Sequence, residues 1–348
     1  MSDVRLKIDG IIHAGWKDVV LSFSLESIAN TFQLSLTDKW ANDAEPRRIK
    51  TGSACEVWIG NTKVITGYID DVTPQYDARN HTVTVSGRSK AGDLVDCSHA
   101  GQQFSNRHLK QLADAVCQPF DIQVLVADGV DISQRFRNAQ EIETGETIFE
   151  FLEQLARYRA VRLVSNVDGD IVITQAGKSR VNTALILGEN ILSASGQFSQ
   201  RDRYSDITVI GSQGGSDDGW GNVVAHIKAK SSDKNINRHR PMVLNANDGI
   251  NLSDAKKQAQ WEINTRFGRG KGIVYTINGW LHDAGLWQPN VLVPVKDSFL
   301  SINSDMLISE VQLIMDDQGQ RTELRVMPPE AFELVALPEP TIEDEGGW

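Results

Sequence analysis

The 348-residue sequence predicts an α+β fold that is mainly β: two related small β-barrels, an α+β domain between them and an insertion in the second barrel. Three observations predict it. Across residues 51–86 apolar side chains alternate with polar ones, at Cys55, Val57 and Ile59, at Val64, and again at Val83 and Val85. A period of two marks half-buried strands, and the turns Gly60-Asn61 and 77–80 fold them into an antiparallel meander. The second observation is an echo of this meander at 290–326. Val291, Val293 and Val295 stand for Cys55, Val57 and Ile59; 307–311 stands for 68–72; 316–319 stands for the longer turn; and 322–326 stands for 82–85. All amphipathic strands alternate, but order, turn placement and spacing together argue for a duplication. The third observation is the change from strand to helix period between the two meanders.

The first β-barrel is expected over 1–96. Val4, Leu6 and Ile8 alternate, Asp9-Gly10 and 16–18 turn, and strands follow at 20–23 and 31–36, with a bend or short crossing at Ile28, Ala29 and Asn30. Residues 39–50, with Pro46, read as a polar loop. From Ser98 the period is helical. Leu109, Leu112, Ala113 and Val116 make an amphipathic stripe that Pro119 ends. A strand is expected at 121–126. A second helix, with Thr144 as its N-cap, buries Ile148, Phe149, Leu152, Leu155 and Ala156. A hairpin follows, turning at Asp168-Gly169-Asp170. The middle α+β domain is thus expected to take 97–185 plus 212–272, and the second barrel 186–211 plus 273–328. The insertion contains a Gly-rich stretch at 211–221, a strand at 223–229 and a helix at 253–267 capped by Ser253. Residues 329–348 read as an extended tail, because Pro338 and Pro340 deny it helix and Glu343, Asp344 and Glu345 keep it solvated.

The net charge of −11 argues against a DNA-binding surface, which needs clustered Lys and Arg. The basic cluster of Lys228, Lys230, Lys234, Arg238 and Arg240, with Arg266, Arg269 and Lys271, reads as a solvated edge or a protein contact. No apolar run approaches the ~20 residues of a membrane span, and no signal peptide is expected at Met1. Cys55, Cys97 and Cys117 are odd in number and lack metal spacing, so all three read as reduced, mostly packed thiols made in a cytoplasm. The seven histidines are scattered, without HExxH or HxH spacing. Asp217-Asp218 lacks the ligand spacing of a calcium loop, and the glycines at 211–215 lack the Gly-Lys-Ser/Thr ending of a phosphate loop. No nucleophile elbow is present. No catalytic, metal or cofactor residues are therefore expected.

The motifs in their order, 30–38, then Thr66-Gly67-Tyr68-Ile69-Asp70-Asp71-Val72, then the helix at 145–152 with its hairpin, then a second β unit with an insertion, resemble the baseplate hub proteins of contractile-tailed phages. The likeness is to the Mu-like kind, and in plan to the phage late control gene D proteins and the N-terminal half of type VI secretion VgrG spikes. The resemblance implies a non-enzymatic structural protein of the virion tail, made in the bacterial host. It implies a homotrimer whose six barrels form a pseudo-sixfold ring between the sixfold tail tube protein and the threefold central spike protein. Other baseplate proteins would be neighbours, and DNA would pass the channel without specific binding. No fused spike is expected after Trp348, and the spike is expected as a separate chain. Pro338, Pro340, Ile342 and Trp348 are the residues expected to dock it, the alternative being a plain disordered terminus. Two readings from other classes stand beside this one. A cell-wall-degrading tail enzyme needs a carboxylate pair or a metal in a cleft. A glycan-binding module would use exposed aromatics such as Trp220, Trp280 and Trp287.

Overall fold

The computed structural model describes residues 3–37, 49–78, 81–136, 138–213, 225–246 and 252–335. The first β unit comprises β1 (Val4–Ile8), β2 (Ile11–His13), β3 (Asp18–Ser24), β4 (Thr31–Thr37), β5 (Ala54–Ile59), β6 (Thr62–Tyr76) and β7 (His81–Ser89). Their inward positions are the alternating apolar residues: Val4, Leu6, Leu21, Leu34, Val57, Ile65 and Val85 are buried. The meander β5–β6–β7 forms as its turns require. Gly60 takes the left-handed conformation, φ 57°, that a two-residue hairpin needs.

The middle unit runs through α1 (Gly92–Asp96), β8 (Gln102–Phe104), α2 (Leu109–Cys117), β9 (Val124–Val126), β10 (Gln140–Ile142), α3 (Ile148–Tyr158), β11 (Arg162–Ser165) and β12 (Ile171–Thr174). Its own core joins Leu109, Leu112, Val116, Phe151, Leu152, Leu155, Ile171 and Ile173. The expected cap of α3 moves by one turn: Thr147, not Thr144, is the N-cap. Thr147 accepts from the Glu150 amide while Glu150 accepts from the Thr147 amide, a closed capping box. Thr144 lies in the preceding turn, where Gly145 has φ 92° and the Glu146 carboxylate accepts from the Glu143 amide. The bend at 25–30 plugs the first unit into this core, because Ile28 and Ala29 are buried there and Asn30 donates to the Ser165 carbonyl.

The chain then forms β13 (Leu185–Ile186), β14 (Ile191–Phe198), β15 (Asp206–Gln213), β16 (Ala225–Ser232), β17 (Pro241–Asn245), α4 (Leu252–Arg269), β18 (Lys271–Asn278), β19 (Leu281–His282), β20 (Gly285–Leu286), β21 (Leu292–Asp297), β22 (Ile302–Asp316) and β23 (Gly319–Met327). β15 is not a strand of the second β unit. It pairs with β16 and β17 in a separate three-stranded sheet. The helix α4 covers that sheet through Ala255 and Ala259 against Val209, Ile227 and Ala229. Ser253 lies inside α4, which begins at Leu252. The insertion therefore builds its own small core instead of joining that of the middle unit.

One sheet of thirteen strands carries both β units, in the order β14–β18–β23–β22–β3–β4–β7–β6–β5–β1–β2, with β21 on β22 and β13 on β21. The hydrogen-bonded path is open at both ends. Within it the order β3–β4–β7–β6–β5–β1 is repeated as β14–β18–β23–β22–β21–β13. Every pair along the two series is antiparallel except β13–β21, which is parallel where β1–β5 is antiparallel. β6 and β22 are both 15 residues long, and β7 and β23 both 9. The β6–β7 ladder slips between Ile69 and Asp71, and the β22–β23 ladder slips between Ile308 and Glu310. These bulges fall at matching positions in the two meanders, and a shared bulge is a feature of a common design. The two series join where β22 pairs with β3, Val311 facing Phe23 and Leu313 facing Leu21. Residues of both units accordingly share one hydrophobic core, in which Leu6, Leu21 and Ile65 meet Tyr275, Val311 and Leu324.

Candidate assembly surfaces

The two matching long strands differ in what covers them. The N-terminal half of β22 pairs with β21, and its C-terminal half, 310–315, pairs with β3 on the same side. Under that cover Val311 and Leu313 are buried. The N-terminal half of β6 pairs with β5 as far as Tyr68. Its C-terminal half, 71–76, has β7 on one side and, among the described residues, no strand on the other. It is exposed apart from Val72, and Tyr76 is 82% exposed. The strands β3 and β14 show the same contrast. Val19 and Leu21 of β3 are fully buried, whereas every residue of β14 after Ile191 is exposed, with Leu192 at 63% and Phe198 at 55%. Among the described residues β14 pairs with β18 alone. It contains no charged residue and no proline, the devices by which edge strands avoid pairing.

The described residues contain no group of three His, Cys, Asp or Glu that could hold a metal. His108 caps α2, His81 leans on Tyr76, and His282 lies 3.0 Å from Asp283 and against Trp287. Burial pushes the Cys55 and Cys117 thiols up to about 12, with Asp70 and Asp114 adding to it. Both are packed groups, whereas Cys97 is exposed, so two of the three free thiols are packed and the third is not. A cleft of about 380 Å³ lies where the two β units meet the middle unit, lined by Phe23, Lys63, Asn166, Trp287 and Pro289 among others. Among the described residues its wall carries no carboxylate, histidine or cysteine. A second cleft has Glu153 and Glu262 in its wall, each paired with an arginine one turn along its helix, Arg157 or Arg266.

Trp280 and Trp287 are not exposed platforms: each is 2% exposed. The Trp280 indole donates to the Ile314 and Arg321 carbonyls, locking the turn after β18 onto the β22–β23 hairpin. Trp220 lies outside the described residues, as do Asp217, Asp218 and the tail residues Pro338, Pro340, Ile342 and Trp348. Much of the basic cluster holds the insertion together. Lys230 pairs with Asp206 at 2.8 Å, Arg240 donates to the Arg201 and Arg203 carbonyls, and Lys271 sits 4.0 Å above the Phe267 ring. No described helix is long and apolar enough to cross a membrane.

Comparison with known proteins places this architecture. Residues 3–89 match the N-terminal domain of the Mu phage baseplate assembly protein GpP-like family. Residues 91–175 match the second domain of the gp44-like baseplate hub proteins, and 252–335 match the fourth domain of the GpP family. The chain is 32% identical to the baseplate hub protein gp44 of Escherichia phage Mu over 338 residues, covering 94% of this chain and 88% of the relative. The crystal structure of the 43 kDa tail protein of prophage MuSo2 from Shewanella oneidensis superposes with a TM-score of 0.85 at 38% identity, covering 96% of this chain and all of that one. A tail protein from Neisseria meningitidis shares the fold, with a TM-score of 0.81 at 23% identity, covering 97% of this chain and 99% of that one. The chain belongs to the Mu-like baseplate hub proteins. Its role is structural, in the baseplate of a phage tail.

Proposed function

We propose that three copies of this chain form a closed ring at the centre of the baseplate, with the sixfold tail tube on one face and the threefold spike on the other. The observation that carries the reading is the repeat: one strand order, with one bulge position, occurs twice in a single chain. Three chains then present six similar β units, each barrel-like in the assembled ring, which is what a threefold object needs to meet a sixfold one. The net charge of −11 suits a channel whose wall is not basic, so that DNA passes without the salt-dependent capture a basic wall would cause. The ring is not an enzyme; it works by shape and by its contacts with tube, spike and other baseplate proteins in the virion tail. Mass measurement of the purified protein in solution tests this. A three-chain species supports the ring, and a single-chain species that lyses cell walls or captures glycans refutes it.

The tail at 337–348 serves the spike side in this reading. Ile342 and Trp348 are apolar groups in a segment of prolines and carboxylates, and Trp is a frequent interface anchor. Deleting 337–348 should leave the three-chain mass intact and weaken co-purification with the spike chain. Unchanged co-purification would show that the tail has no docking role.

A further inference from the structure

After β23 the chain is held in place as far as Val335. Phe332 is fully buried in a cluster with Leu25, Leu307 and Met327. Gly268 of α4 lets the backbone of Ala331 come close, since a Cβ at Gly268 would lie 2.6 Å from the Ala331 Cα. The Trp261 indole donates to the Glu333 carbonyl. Leu334 and Val335 thereby become part of the wall of the cleft between α3, β11 and α4, a space of about 510 Å³. The sequence continues Ala336-Leu337-Pro338-Glu339-Pro340, so the segment that follows Val335 starts at this cleft.

The cleft wall contains an arginine whose charge is unmatched. Arg162 lies over the Phe332 ring at 5.0 Å. Among the described residues its guanidinium has no hydrogen-bonding or ion-pair partner, and its Nε is buried. Burial, and then the charge of Arg269, push the Arg162 pKa below the ordinary arginine value. Arg269 stands in the same wall. Two carboxylates of the wall are already engaged, Glu153 by Arg157 at 2.9 Å and Glu262 by Arg266 at 2.8 Å. Glu26, also in the wall, acts on Arg162 only through space. The Gln258 Oε1, on the α4 side, is buried without a partner as well. Buried polar groups left unmatched are costly, and most so when charged.

We propose that this cleft seats the chain's own segment 336–340. The Glu339 carboxylate accepts hydrogen bonds from Arg162, with Arg269 beside it, and Leu337 lies against the apolar wall of Ile28, Phe149 and Leu163. Charge, reach and stiffness select this occupant. Residues 336–348 carry Glu339, Glu343, Asp344 and Glu345 and no Lys, Arg or His. Glu339 comes four residues after Val335, which is at most ~14 Å of extended chain, whereas Glu343 and its neighbours lie twice as far along. Pro338 and Pro340 restrict the backbone on either side of Glu339, so little freedom is lost on docking. An arginine–carboxylate contact is among the stronger hydrogen bonds, and attachment at Val335 keeps the segment at a high effective concentration. The seat does not depend on the ring, and it leaves Ile342 and Trp348 beyond the cleft for the spike.

Zero-length coupling in the full chain tests this. Arg162→Lys places an amine in the cleft wall, and carbodiimide treatment should join it to the Glu339 carboxylate, read by mass spectrometry of the digested protein. Arg269→Lys, at an exposed position, should couple to the same residue. Lys178, in the neighbouring cleft that Val335 also borders, should not couple to 336–348. Co-expressing a chain that carries both Arg162→Lys and Glu339→Gln with the unsubstituted chain permits coupling only between copies, and should give none. Coupling there would assign the cleft to the tail of a second copy and refute the own-chain occupant. Without coupling, Glu339→Gln and Arg162→Gln should each speed cleavage after Glu343 by a Glu-specific protease about tenfold, the worth of one charge-assisted hydrogen bond. Lys178→Gln should leave that rate unchanged. Failure of both substituted positions to couple to Glu339, or coupling to Glu343, Asp344 or Glu345 in its place, overturns the proposal. The same failure with a three-chain mass, and with spike co-purification still weakened by deleting 337–348, overturns the seat and leaves the ring and the docking role of the tail standing.

Discussion

Arg203 and Asp233 are 9% and 4% exposed and share hydrogen bonds of 3.1 and 2.6 Å. A charge buried this deeply depends on its partner, and removing one member leaves the other desolvated. Arg203→Ala should destabilise the insertion by about 3–5 kcal/mol in denaturant unfolding, the usual cost of breaking a buried pair. Replacing both by apolar residues of similar volume should recover most of the loss. At the nearby Asp206 the effect is one of pH. Hydrogen bonds from Lys230 and then Ser232 hold its carboxyl down to about 2, below the ordinary ~3.9 of the unfolded chain. A depressed pKa in the folded state stabilises above the unfolded value and is lost as pH falls toward the folded one. Denaturant midpoints should therefore drop between pH 4 and about 2, and Asp206→Asn should reduce that drop while lowering stability at pH 7. An equal drop in Asp206→Asn would place the acid sensitivity elsewhere.

Helix α3 shows how an element is set by its ends. Its apolar stripe is plain in the sequence, but two threonines near its start, Thr144 and Thr147, compete for the cap. The tertiary turn at Gly145 uses Glu146, and the box closes on Thr147 and Glu150. Thr147→Ala should cost about 1 kcal/mol in thermal or denaturant unfolding, and Thr144→Ala less, since Thr144 donates only one 3.3 Å bond, to the Ala100 carbonyl. Equal losses from the two substitutions would contradict the assignment. At the same scale, period-two alternation identified β1, β5, β7 and β21 but not which neighbour β15 would choose. Ile207 and Val209 alternate as any strand of the second β unit would, yet both pair with β16 and Val209 packs beneath α4.

At the scale of the whole molecule the two β units are tied by the β22–β3 ladder and by a common core. Neither can expose that core without uncovering the other, so the two should unfold in one cooperative transition. Fluorescence of Trp16, buried in the first unit, and of Trp280 and Trp287, buried in the second, should report the same midpoint when each is followed in a single-tryptophan variant. Separated midpoints would mean the shared core does not couple them. The middle unit has a core of its own and is free to unfold at a different denaturant concentration.

The paired meanders, their turns and the helical stripes of α2 and α3 were legible because each is a local pattern: side-chain period and turn chemistry are written in neighbouring residues. The family was legible for a related reason, since the order of such patterns survives in the chain. What neighbouring residues do not carry is the choice between equivalent partners. Trp280 and Trp287 read as surface aromatics, and only the arrival of the β22–β23 hairpin and of His282 buries them. Likewise 71–76 and 310–315 occupy matching places in one repeat, and the sequence marks both as strand. Only the packed molecule covers one with β3 and leaves the other open, because strand edges satisfy their backbone groups with whichever edge the tertiary structure brings alongside.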